Sequence, residues 1–284
     1  MLEALQFEFM RNAVMAGIMA GLICGIMGTL VVVNRVVFLS GGIAHAAYGG
    51  IGLSFFMGWS FLIGTMGFAL TAAFIMAAVT LKAKHRADTI IGVIWAVGMA
   101  IGIVLLDLTP GYRVDLMSYL FGSILTVPAS DLLIMLSLVL VASAVVGYFY
   151  RDLIAMAYDE EFAQARGVPV RGLYFLLIGT LALCIVMIIQ VVGLILVIAM
   201  LTIAPFIVEK YTKSMAAMML WSGLLNICFA LCGLWLAYRF NLTSGATVIL
   251  VAGTVFTVDF LYQSVIRSKR KRGGNLMENT QSHV

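Results

Sequence analysis

LLIMLSLVLVASAVVGYFY (residues 132–150), RDLIAMAYDEEFAQARGVPVRG (151–172) and LYFLLIGTLALCIVMIIQ (173–190) follow one another without a break. The outer two runs hold no Asp, Glu, Lys or Arg, and each is close to the ~20 residues that cross a hydrocarbon core. Between them lies an island crowded with charge. This pattern predicts two membrane helices joined by a connector in water. The island itself, from about 159 to 167, reads as a short capped helix. Asp159 caps its start, and Glu160 and Glu161 occupy the first turn, where the helix dipole favours anions. Arg166 sits in the last turn, Gly167 suits the left-handed position past the end, and Pro169 stops continuation. Ala163 is a small residue within it. Such a helix fits either a solvated connector or a handle for a soluble partner.

The rest of the chain obeys the same logic. Of its 284 residues 63% are hydrophobic and 11% charged, against about 25% charged in a soluble domain. The fold class is therefore all-α, a polytopic transmembrane bundle forming one domain over residues 1–266. Apolar runs near 13–34, 37–58, 60–81, 89–108, 131–150, 172–189, 191–209, 215–237 and 245–265 give eight or nine spans. With nine, 14 of the chain's 17 Lys and Arg gather on one side, and Arg11, Arg113 and Arg239 alone fall on the other. The positive-inside bias places the island and the C-terminus in the cytoplasm of a cell membrane, the inner one in a Gram-negative cell. Residues 267–284, basic and then polar, read as a disordered cytoplasmic tail. The first residues lack the pattern of a cleaved signal, so the N-terminus is expected to be retained.

Several chemistries are not encoded. Cys24, Cys184, Cys228 and Cys232 lie in apolar runs without CxxC spacing and read as small buried hydrophobes. No Gly-x-x-x-x-Gly-Lys-[Ser/Thr] loop is present, so any ATP must be hydrolysed by another chain. No paired intramembrane acids suggest a hydrolase. The basic residues are accounted for by topology, and nucleic acid is not implied as a partner.

The intramembrane polar groups are the candidates for function. His45, in Phe38-Leu-Ser-Gly41-Gly42-Ile-Ala-His45-Ala-Ala-Tyr48-Gly49-Gly50-Ile-Gly52, follows Arg35 by ten residues. A helix would lift it about 15 Å, to mid-membrane. Imidazole there faces protein or water, and it is a common ligand of transition metals. Gly41, Gly42, Gly49 and Gly52 let a neighbouring backbone come close. A packing role and a pathway role are both compatible. Asp107 and Asp259 are further pathway candidates, Gln190 marks a turn, and Pro205 predicts a kink. Asp115 to Val127 is apolar but too short to cross, and reads as a re-entrant half-helix or an amphipathic helix on the outer leaflet.

Taken in order, Gly28-Thr-Leu through Arg35, Ser40 to His45-Ala, Asp88-Thr-Ile-Ile-Gly92, Tyr119-Leu-Phe-Gly-Ser123, Asp159 to Gly167, Gln190 through Pro205 and Ser244-Gly-Ala-Thr-Val-Ile249 resemble the permease of zinc, manganese and iron ABC importers. The resemblance covers about residues 10–262. It implies a bundle related to the vitamin B12-type permeases, with two copies per transporter. It also implies a partner ABC ATPase that uses the ATP, and an extracytoplasmic metal-binding protein that delivers the ion. Asp159, Glu160, Glu161, Ala163 and Gly167 would form the coupling helix. His45, Gly41, Asn241 and Asp259 would belong to the pathway or gate, with His45 a transient metal ligand. Many members carry a carboxylate where this chain has Gly41, and an acid where it has Asn241, which removes hard oxygen from the site. A self-sufficient carrier using His45, Asp107 and Asp259 is the alternative.

Overall fold

In lipid every backbone N–H and C=O must be paired within the protein, and the long apolar runs are accordingly α-helical. The computed structural model describes residues 6–83, 86–110, 122 and 124–281, the backbone alone from 265 onward. In chain order the helices are α1 (Glu8–Val33), α2 (Val37–Met57), α3 (Phe61–Lys82), α4 (Ala87–Asp107), α5 (Ala129–Tyr148), α6 (Tyr150–Tyr158), α7 (Glu160–Ala165), α8 (Val170–Val192), α9 (Leu194–Glu209), α10 (Met215–Phe240) and α11 (Ser244–Gln281). A 3₁₀ turn, Ile124–Thr126, precedes α5.

All nine expected apolar segments are helices, and seven are long and apolar enough to span on those criteria alone. The two others explain the uncertainty between eight and nine. α2 has the length, 21 residues, but its glycines, serines and His45 dilute its hydropathy. α9 has only 16 residues, a rise of about 24 Å against a core of about 30 Å. At its N-terminal end the turn at Val191–Leu194 is buried under protein, with the backbone of Gly122 pressed on Val192 and Gly193.

Three expectations change. The turn between α8 and α9 is made by Gly193, at φ +87, whereas Gln190 lies inside α8 and donates to Asp131 Oδ2 at 2.9 Å. Gln190 is thus a tie between α8 and α5. The loop after α5 contains the amphipathic helix α6, whose Leu153 and Met156 face inward. α11 runs to Gln281. Cys24 and Cys184 are buried, but Cys228 and Cys232 are exposed one turn apart on α10, a face that apolar thiols can turn to lipid. Most of the expected half-helix at 115–127 lies outside the described residues.

α1 and α8 form the centre, 67% and 78% buried over their most apolar windows, against 17% for α4. α1 packs on α10, α9 and α5, and α2 on α4, α3 and α8. The tightest crossings use glycine: a Cβ at Gly21 would stand 2.9 Å from the backbone nitrogen of Ile227, and Gly25 faces Gly223 directly. Pro205 frees the carbonyl of Leu201 within α9, and Gly28 of α1 packs against that oxygen. α1 therefore covers the carbonyl that Pro205 leaves free.

Candidate functional site

α2 and α4 are held backbone to backbone at two levels. A Cβ at Gly49 would meet the Gly98 carbonyl at 3.0 Å, and one at Gly52 would meet Gly102 Cα at 2.7 Å. Below this seam lies His45, half-buried. Its ring stacks on Trp95 of α4, with centroids 4.1 Å apart and planes 15° from parallel. Its Nδ1 lies 3.2 Å from Met99 Sδ. Trp95 also covers Gly41, where a Cβ would sit 3.6 Å from the indole Cζ3, and it meets Phe38 at 5.8 Å between centroids. The side of α2 bearing Phe38, Gly41 and His45 thus packs on one indole.

Trp95 and Met99 were not singled out from the sequence. The signal lay in α4 itself, where Ile91, Trp95, Gly98, Met99 and Gly102 recur at helical spacing. Among the described residues no three His, Cys, Asp or Glu side chains come together. Within one chain, the donors beside His45 are therefore an indole face and a thioether.

Asn241 and Asp259 lie elsewhere. Asn241 takes the left-handed conformation, φ 52 and ψ 48, and ends α10, a position where Asn is tolerated after Gly. Asp259 accepts from Lys210 Nζ and from the Tyr211 hydroxyl, each at 2.5 Å, and Gln263 donates to the same hydroxyl at 3.2 Å. That hydrogen bond to Asp259 holds the Tyr211 phenol above its ordinary pKa. α11 packs on α9 and α10, so it brings Asp259 to the end of α9 and not to the α2–α4 seam. The proton path of the carrier alternative is not assembled by this packing.

The island folds as its residues predict. Asp159 Oδ1 accepts the Phe162 N–H at 2.9 Å. Gly167, at φ +83, closes the C-terminus: its N–H donates to the Gln164 carbonyl at 2.9 Å, and the Val168 N–H to the Ala163 carbonyl at 3.0 Å. These two bonds constitute a Schellman closure, with Arg166 at the cap and its guanidinium 5.7 Å from the Phe162 ring. Ala163 departs from the expected coupling surface, being 0% exposed. Its smallness lets α7 lie on its own chain, while Glu161, Phe162, Gln164 and Ala165 face outward.

Beside α7 opens a cavity of about 1010 Å³. Arg35, Glu160, Glu209 and Lys213 line it together with Thr80 and Tyr174. It is bounded by the α1–α2, α3 and α9–α10 ends, so the island shares a wall with the turn that leads into α2.

Residues 6–263 match the ABC 3 transport family. An uncharacterized membrane protein of Synechocystis is 46% identical over 93% of this chain and 94% of its own length. The manganese transport system membrane protein MntC of Listeria innocua is 31% identical over 94% of this chain and 96% of its own. Among solved structures, PsaBC from Streptococcus pneumoniae in complex with Fab superposes with a TM-score of 0.82 at 31% identity, covering 91% of this chain and 94% of that one.

Proposed function

The chain belongs to the ABC 3 transport family, and from that membership we propose that it is the permease subunit of an ATP-driven importer of divalent transition-metal ions. One observation in the fold carries the assignment of parts: a rigid, doubly capped helix stands between two spans with its outer face uncovered. Asp159 and Gly167 build that helix, Glu161, Phe162 and Gln164 present it, and a separate ATPase receives it. The shared cavity gives the motion a route. Displacement of α7 alters the wall that also contains Arg35, and Arg35 begins the turn into α2 and His45.

The partners follow from the same reading. An extracytoplasmic protein delivers the ion, and a second permease copy completes a pathway that one chain leaves with a single imidazole. The island and the C-terminus lie in the cytoplasm on the positive-inside bias. Transport proceeds by alternating access, in which the ATPase changes the relative stability of outward-open and inward-open states.

Reconstitution tests this function. Proteoliposomes holding the chain and its co-purified ATPase, supplied with the extracytoplasmic binding protein, should accumulate Mn²⁺ or Zn²⁺ only with ATP. Uptake by the chain alone, driven by a proton or sodium gradient, would overturn the reading in favour of a carrier.

A further inference from the structure

Resting on the reading of this chain as a metal-ion permease, we propose that Met99 and Trp95 of α4 are positioning residues. Together they fix His45 in the Nδ1–H tautomer, so that Nε2 is the nitrogen that meets the ion. The argument begins with the 3.2 Å contact between His45 Nδ1 and Met99 Sδ. A thioether carries lone pairs and no hydrogen. A bare Nδ1 at this distance would set lone pair against lone pair, whereas Nδ1–H donates to the sulfur. Neutral imidazole has one protonated nitrogen and one basic one. The basic nitrogen is then Nε2.

Trp95 fixes the other degree of freedom. With ring centroids 4.1 Å apart and planes 15° from parallel, the imidazole cannot turn about χ2 without lifting off the indole. α4 is itself held in register, because Gly98 and Gly102 touch the backbone of Ala46 and Tyr48 just past the site. Metal-ligating histidines are commonly oriented by a hydrogen bond from the ring nitrogen that does not bind the metal, usually to a carboxylate or a carbonyl. Here an uncharged, weak acceptor fills that role. It orients the ring without adding negative charge beside it, an arrangement suited to an ion that must leave again. The ligand class is a divalent ion that accepts a neutral imidazole nitrogen.

The test uses the permease–ATPase complex in lipid nanodiscs, labelled with ¹⁵N-histidine. The chain has three His, so His85→Gln and His283→Gln leave His45 as the one labelled ring in the permease, and an ATPase expressed separately without label adds none. Solid-state ¹⁵N spectra should show Nδ1 protonated and Nε2 bare, and added Zn²⁺ should move the Nε2 signal. Met99→Leu keeps the size and removes the acceptor. It should populate the Nε2–H form in nanodiscs and, in proteoliposomes supplied with the extracytoplasmic binding protein, raise KM for Zn²⁺ uptake about tenfold, with maximal rate little changed. Met99→Gln, whose side-chain carbonyl can accept, should restore both. An Nε2–H ring in the wild type would overturn the proposal, as would a Met99→Leu complex with unaltered tautomer and KM. Absence of ATP-driven uptake by the wild type would instead overturn the import reading and the role of Nε2 with it, while the spectra would still decide the tautomer.

Discussion

Adding one methyl group at residue 102 tests whether the α2–α4 seam positions His45. In Gly102→Ala the new Cβ would lie 2.6 Å from the Tyr48 carbonyl carbon and 3.0 Å from Gly49 N, where ordinary contact is 3.4–4 Å. These are backbone atoms of a packed helix, so no rotamer change relieves the overlap. α4 must retreat by about 0.8 Å, and overpacking of this kind costs about 1–3 kcal/mol. Intrinsic helix propensity acts in the opposite direction, since Ala is favoured over Gly by about 1 kcal/mol, so the sign of the outcome is informative. The matched control is Gly92→Ala on the same helix, where a Cβ meets nothing within 4 Å. Thermal unfolding of both variants in nanodiscs should show Gly102→Ala lowered by several °C, at about 2–4 °C per kcal/mol, and Gly92→Ala unchanged or raised. The same retreat would open the His45–Met99 contact of 3.2 Å and should weaken metal uptake. Equal stability and equal uptake in the two variants would refute the reasoning.

The island and the outlying carboxylate give further expectations. Asp159→Ala removes the N-cap and should cost about 0.5–2 kcal/mol of local helix stability, seen as reduced co-purification of the ATPase, while Asp159→Asn should retain it. Gly167→Val forces a β-branched residue to φ +83, and should abolish ATP-driven uptake while the protein still reaches the membrane. Asp259→Asn removes the charge paired with Lys210, and because the Asp259 side chain is only 8% exposed it should cost about 1–3 kcal/mol, with uptake close to wild type. His45→Ala should abolish uptake in an assembled complex, so comparison of the two uptake rates separates pathway residue from interface residue.

Some features were legible in the sequence because they depend on local or summed properties. Apolar length predicted the spans, since lipid leaves backbone groups no partner but their own helix. Asp159, Gly167 and Pro169 predicted a capped helix because capping is decided within a few residues, and the hydrogen bonds of Asp159 and Gly167 are those the residue types require. The ordered motifs from Gly28 to Ile249 predicted the family to which the chain belongs.

Tertiary structure alone decided what each polar side chain meets. His45 was visible as a costly mid-membrane group, but its neighbours Trp95 and Met99 are about fifty residues away, and no periodicity within α2 could reveal them. Gln190 reads as a turn because polar residues usually mark one, yet inside α8 its side-chain amide donates to a carboxylate on α5. Asp259 reads as a pathway acid from its place in the last span, and only the packing of α11 on α9 shows that it meets Lys210 and Tyr211. Ala163 was assigned to a partner's groove, though the chain's own packing buries it. A sequence fixes which groups must be paired, because burial without a partner is costly; the partner is selected by which helices cross, and that depends on where glycines let two distant backbones touch.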